Sequence, residues 1–275
     1  MWHINSALNN IFDFMFAPFK SLDPFWPLFI VSSLTGVLML VIFRHTSNQK
    51  GIRETKDRIK AHLLEIWLFK DNPRIVLSAQ KQLLFYNTKY MQHALRPMLF
   101  MLIPVAVILI QLDGWFGYEP LKIGDSAIIS VKLSKDAKNL LSDISLESDG
   151  GLSIETPPLS IPEDSEINWR VRAKAAGEHK IFLNVSGQKI MKEIIVAQDK
   201  LTRLSKVRVG PHFWDIFLNP GERPIDGNSP IQRIGINYRS RSIEIFGWRL
   251  YWLVLYLVLS IITGYTLKGV FKTEI

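Results

Sequence analysis

Apolar and polar positions along this chain fall into blocks of different period. Residues 25–43 are an apolar run with an aromatic start at Phe25 and Trp26 and no charge before Arg44 and His45. About nineteen helical residues at 1.5 Å each cover roughly 28 Å, the thickness of bilayer hydrocarbon. Ser32, Ser33 and Thr35 make one section mildly polar. Such hydroxyls either bond back to their own or a neighbouring helix or open a hydrophilic groove. Beyond Arg44 the period becomes that of an amphipathic helix, with Ile52, Ile59, Leu63, Ile66 and Trp67 on one side and charged residues between them. Asp71, Asn72 and Pro73 break the pattern, and Val76, Leu83, Leu84, Asn87, Met91 and Leu95 restart it. Residues 44–96 therefore predict an antiparallel helical hairpin. A second span is expected over residues 97–112, with Pro104 inside and Gln111 near its end. At about sixteen residues, or 24 Å, it is shorter than the hydrocarbon it would cross. It must thin the bilayer, recruit residues 113–118, or lie in a groove. A third span is expected over residues 248–267, with Arg249 at its mouth, before a short tail, 268–275, carrying Lys268 and Lys272.

Between the second and third spans the period drops to two. Alternation over residues 127–133, 144–146, 152–154, 167–171, 180–185 and 189–196, separated by glycine and proline pairs, predicts short antiparallel strands. Ser186 and Gly187 mark a tight hairpin, and Trp169 is the expected buried aromatic. Residues 113–200 then form a small sandwich of immunoglobulin-like type. Residues 201–247 contain a short interfacial helix over 211–218 and a strand-like stretch, 231–245, that either completes the sandwich or forms a stalk. The aromatic-rich residues 1–24 have neither the basic start nor the small-residue cleavage site of a signal peptide. They are expected to stay on the chain, at the membrane interface or packed on neighbouring helices.

Charge gives this outline a direction. The +8 net charge is local: eleven Lys/Arg face four Asp/Glu between Arg44 and Arg96. A basic loop next to an apolar span is a cytoplasmic marker, and no nucleic-acid reading motif accompanies it. The expected topology has the amino terminus and sandwich outside, and the hairpin and carboxyl terminus in the cytoplasm. With no cysteine, disulfides and thiol chemistry are absent. The six histidines do not pair at metal-ligand spacing, and no phosphate loop or nucleophile elbow occurs. The reading is thus a membrane α plus β protein, not an enzyme, with no cofactor and no metal.

Leu40, Val41, Ile42, Phe43, Arg44 and His45 at the end of the first span, the basic hairpin after it, and the re-entry from Arg96 through Pro104 to Gly114, Trp115 and Phe116 resemble the Oxa/YidC membrane protein insertase superfamily. The resemblance is to its minimal three-span branch, which includes short archaeal homologues and the third subunit of the endoplasmic-reticulum membrane protein complex. It covers residues 25–118 and extends to 248–268. It implies a positively charged, hydrophilic groove in a locally thinned bilayer, open to cytoplasm and lipid. Arg44 and Arg96 would attract acidic or polar parts of a client, and Met91, Met98 and Met101 would offer an adaptable apolar surface. With His45 and Gln111, these form the set expected to contact clients. The chain departs from that pattern in a less charged hairpin and in the β-domain inserted before the third span. The leading expectation is an insertase-like protein of a bacterial inner membrane, with the lipid bilayer and membrane protein clients as partners. The alternative is a structural or accessory subunit of a hetero-oligomeric membrane complex whose extracytoplasmic β-sandwich binds a partner.

Overall fold

The computed structural model describes residues 2–197, 201–245, 247–271 and 273. Its elements are helices and antiparallel sheets. The chain divides into two compact units, Met1–Leu28 with Ile108–Trp252, and Phe29–Val107 with Leu253–Ile275.

The first unit opens with α1 (Trp2–Phe16), whose buried residues Asn5, Asn9, Phe12 and Phe16 share one helical face. This stripe contains two asparagines because each donates to a backbone carbonyl: Asn5 Nδ2 to Ile216 O at 2.7 Å and Asn9 Nδ2 to Pro220 O at 2.8 Å. Phe16 closes on Trp115 and Phe116 at centroid distances of 4.8 and 5.5 Å. These contacts pack the amino-terminal segment against the rest of the first unit.

The β part has strands β1 (Ser126–Leu133), β2 (Ser145–Ser148), β3 (Leu152–Ile154), β4 (Leu159–Ile161), β5 (Glu166–Ala173), β6 (Gly177–Val185), β7 (Gln188–Val196), β8 (Val207–Val209) and β9 (Ile231–Ile236). One sheet runs β3-β5-β1-β9-β8 with β4 also on β5, and a second runs β2-β6-β7. Strict alternation buries Ile129, Val131, Ile167, Trp169 and Val171 from the first sheet and Ile181, Leu183, Ile194 and Val196 from the second in one apolar cluster. The β6–β7 turn has positive φ at Ser186 (48°) and Gly187 (75°), the backbone a two-residue hairpin requires. β8 and β9 join the larger sheet, so residues 231–236 complete the β part and make no separate stalk. Helix α5 (Phe213–Leu218) lies where a short interfacial helix was expected. β10 (Ser242–Ile245) and β11 (Trp248–Tyr251) form their own two-stranded ribbon.

One position in the β core breaks the apolar pattern. Lys192 is completely buried, and its ammonium donates to Ser205 O at 2.7 Å and to the carboxylate of Glu222. Burial pushes its pKa below the usual lysine value, and Glu222 pulls it back up. Lys192→Met should cost about 3 kcal/mol or more, since it strands a buried carboxylate, whereas adding Glu222→Leu should recover most of that loss. Unfolding midpoints of the full chain in detergent check both values.

Among the described residues, two helices are long and apolar enough to cross a membrane. Helix α2 (Phe25–Thr46) has a mean hydropathy of 2.2 over its most apolar stretch, and α4 (Pro73–Phe116) of 2.1. Only 39% and 17% of these stretches are buried within the molecule, so most of their apolar surface faces outward, unlike a soluble core helix. Helix α4 is a single 44-residue element in which Pro97 and Pro104 are both accommodated. The expected hairpin arm and second span are therefore one helix, which continues through Asp113 and Gly114 to Phe116. Helix α6 (Trp252–Leu267) is apolar but has 16 residues, because Trp248–Tyr251 is strand instead of helix. The short apolar helix is thus α6. Helix α3 (Gln49–Leu68) completes the second unit.

Candidate functional site

Within the second unit α2 and α6 meet through small residues. A Cβ on Gly36 would lie 2.6 Å from the Ser260 carbonyl oxygen and 3.2 Å from Gly264 N. Ser32 and Gly36 on one helix, and Ser260 and Gly264 on the other, have the small-xxx-small spacing that lets helix backbones approach closely in lipid. The hydroxyls here bond within their own helix or across the pair: Thr35 Oγ1 donates to Val31 O at 2.8 Å, Ser260 Oγ to Tyr256 O at 2.7 Å, and Thr263 Oγ1 to Ser33 Oγ at 3.4 Å.

Helices α3 and α4 form the expected hairpin. The Asn48 side chain caps α3 by accepting from Gly51 N at 3.0 Å, and Pro73 opens α4 at the position where a missing N–H costs nothing. Gly51 lies against His93, and the His62 ring stacks on Tyr86 at 5.6 Å and 19°. Contacts that move down α4 as they move up α3 define an antiparallel pair.

A groove of about 470 Å³ opens between these elements. Its walls are Thr35, Gly36, Met39, Leu40 and Phe43 of α2, Ile52 of α3, Tyr90, Ala94, Met98, Met101 and Val105 of α4, and Tyr256, Leu257, Ser260, Ile261, Gly264 and Tyr265 of α6. Among the described residues no charged side chain lines it, and its polar side-chain groups are hydroxyls. Cations stand next to two lining aromatics: Arg44 follows Phe43 and is exposed, and Lys268 Nζ lies 3.7 Å from the centroid of the Tyr265 ring. Three methionines give the walls flexible, polarizable surface able to follow varied apolar shapes. Among the described residues no group of three or more His, Asp or Glu could hold a metal ion.

Of the residues expected to contact clients, Met98 and Met101 are groove walls. Arg44, His45, Met91 and Arg96 are exposed and outside the lining, with His45 Nδ1 2.8 Å from Val41 O. Gln111 is buried in the first unit, where it lines a small pocket with Asn9, Asp113 and Tyr118, and so belongs elsewhere. Sequence reasoning missed Met39 and the tyrosines Tyr90, Tyr256 and Tyr265. The paired small-residue spacings around Gly36 and Gly264 were the available signal, because they announce which helices meet. Comparison with protein-family models, with curated proteins and with solved structures found no match to this chain.

Proposed function

We propose that this chain is an insertase-like protein of a bacterial inner membrane, a relative of the minimal three-span Oxa/YidC branch, that helps apolar segments of other proteins enter or assemble in the bilayer. In this reading α6 is the third span, the two larger sheets are the halves of an extracytoplasmic immunoglobulin-like sandwich, and the hairpin is cytoplasmic. The observation that carries the proposal is the uncharged, methionine-walled groove among helices whose apolar surface is mostly outward-facing.

The mechanism follows from the cost of moving polar groups into hydrocarbon, about 2.5–3.5 kcal/mol for a charged residue at a helix centre. A helix of 16 residues spans only about 24 Å, so the bilayer thins beside α6 and shortens that path. The apolar face of a client lies against Met39, Met98 and Met101, while Arg44, Arg96 and Lys268 hold its acidic flank outside the hydrocarbon. The groove accepts the apolar stretch, and the charge acts only at its margin. No cofactor is needed. Photo-crosslinking from positions 98 and 101 in living membranes tests the reading: adducts with several different nascent single-span proteins are expected. One stable partner in place of those adducts would sink it in favour of an accessory subunit.

A further inference from the structure

A second apolar feature of α4 lies outside the groove and the hairpin contact. Leu77, Leu84 and Met91 recur every seven residues and are 70%, 68% and 68% exposed. A seven-residue interval is close to two helical turns, so these side chains form one nearly straight line. Leu77, Leu84 and Met91 each stand two residues before a position that is buried or touches α3, namely Ala79, Tyr86 and His93. At about 100° per residue that places the line on the face opposite α3.

Charge selects what can cover it. From Pro73 to Gln111 the helix carries Arg74, Lys81, Lys89 and Arg96 and no carboxylate. Arg74 and Lys81 stand three residues before Leu77 and Leu84, immediately beside the line. A second copy of the same face would bring cation against cation. Lipid is also a poor fit: the uncharged apolar run of α4 begins at Pro97, and the unbroken helix carries Leu77 about 30 Å beyond it.

We propose that this face is a docking track for an amphipathic helix of a partner protein, with apolar residues at heptad spacing and acidic residues flanking them. Arg74 and Lys81 select the acidic flank, and Leu77, Leu84 and Met91 supply the seam. The proposal uses the membrane placement of the apolar half of α4 but not the insertase reading, and it can hold where insertion fails.

The test uses the full chain in phosphatidylcholine nanodiscs and two fluorescent 21-residue probe peptides with leucine at the seam positions, one flanked by glutamate and one by lysine. The glutamate probe should bind at least tenfold more tightly than the lysine probe. Leu84→Asp should weaken it at least tenfold with helical circular dichroism unchanged, and Lys81→Glu should reverse the preference between probes. Equal binding of both probes, or an affinity indifferent to Leu84→Asp, would overturn the proposal. So would a disulfide between two copies of a Leu84→Cys chain that the glutamate probe fails to prevent. A polarity-sensitive dye at position 84 that enters lipid on adding anionic phospholipid would assign the face to the membrane instead.

Discussion

Gly36→Leu should separate α2 from α6 and dismantle the groove. The obstacle is a backbone carbonyl: even a methyl group at this position would lie 2.6 Å from Ser260 O. Overpacking costs about 1–3 kcal/mol where side chains can move aside, and a contact with backbone belongs at or above the upper end. Gly264→Ala is the matched control, because its added carbon would come no closer than 3.8 Å to Gly36 O, an ordinary contact. The chain has no cysteine, so a Ser33→Cys, Thr263→Cys pair reports the crossing without background. Oxidation should link the pair in the parent and in Gly264→Ala, and should fail with Gly36→Leu. Undiminished linking in Gly36→Leu would mean that the helices do not meet as described.

The second large effect concerns the groove itself. Two indoles in place of the thioethers of Met98 and Met101 would occupy much of its 470 Å³, so the double variant Met98→Trp, Met101→Trp should reduce insertion of a single-span client about tenfold, or about 1.4 kcal/mol. Met→Leu at both positions keeps volume and apolarity and should stay near the parent. Persistence of the α2–α6 disulfide in the tryptophan variant would separate a blocked groove from a misfolded one. Insertion unaffected by the tryptophans would remove the groove from the mechanism while leaving the fold in place.

What could be read in advance was local. Alternation located β1, β6 and β7, the Ser186–Gly187 pair located the turn between β6 and β7, and helical spacing located α3 and the part of α4 before Pro97. What could not be read depended on partners distant in sequence. Trp248, Leu250 and Tyr251 look like the start of an apolar helix, but Gly247, at φ 82°, turns them back to pair with Ser242–Ile245. Pro97 looks like a boundary, yet an internal proline removes one backbone hydrogen bond without ending the helix, and α4 continues through it. Lys192 falls on a buried face because Glu222, thirty residues away, neutralises it. The candidate site followed the same division. Met98 and Met101 could be picked out from one stretch of chain, whereas Tyr90 and Tyr265 become neighbours of the same groove only when three helices have packed. The groove's walls are apolar, in keeping with a stretch of sequence that has no Arg or Lys inside its spans, and Lys268 over Tyr265 is a cation beside the lining.

In the proposed function this chain itself lowers the barrier to insertion. The most direct measurement of this is protease protection of a short single-span client added to liposomes that contain only the purified full chain, compared with empty liposomes of the same lipid. The proposed function predicts protected client well above the empty-liposome level, falling towards that level in the Met98→Trp, Met101→Trp variant. Equal protection in empty and protein-containing liposomes would contradict it.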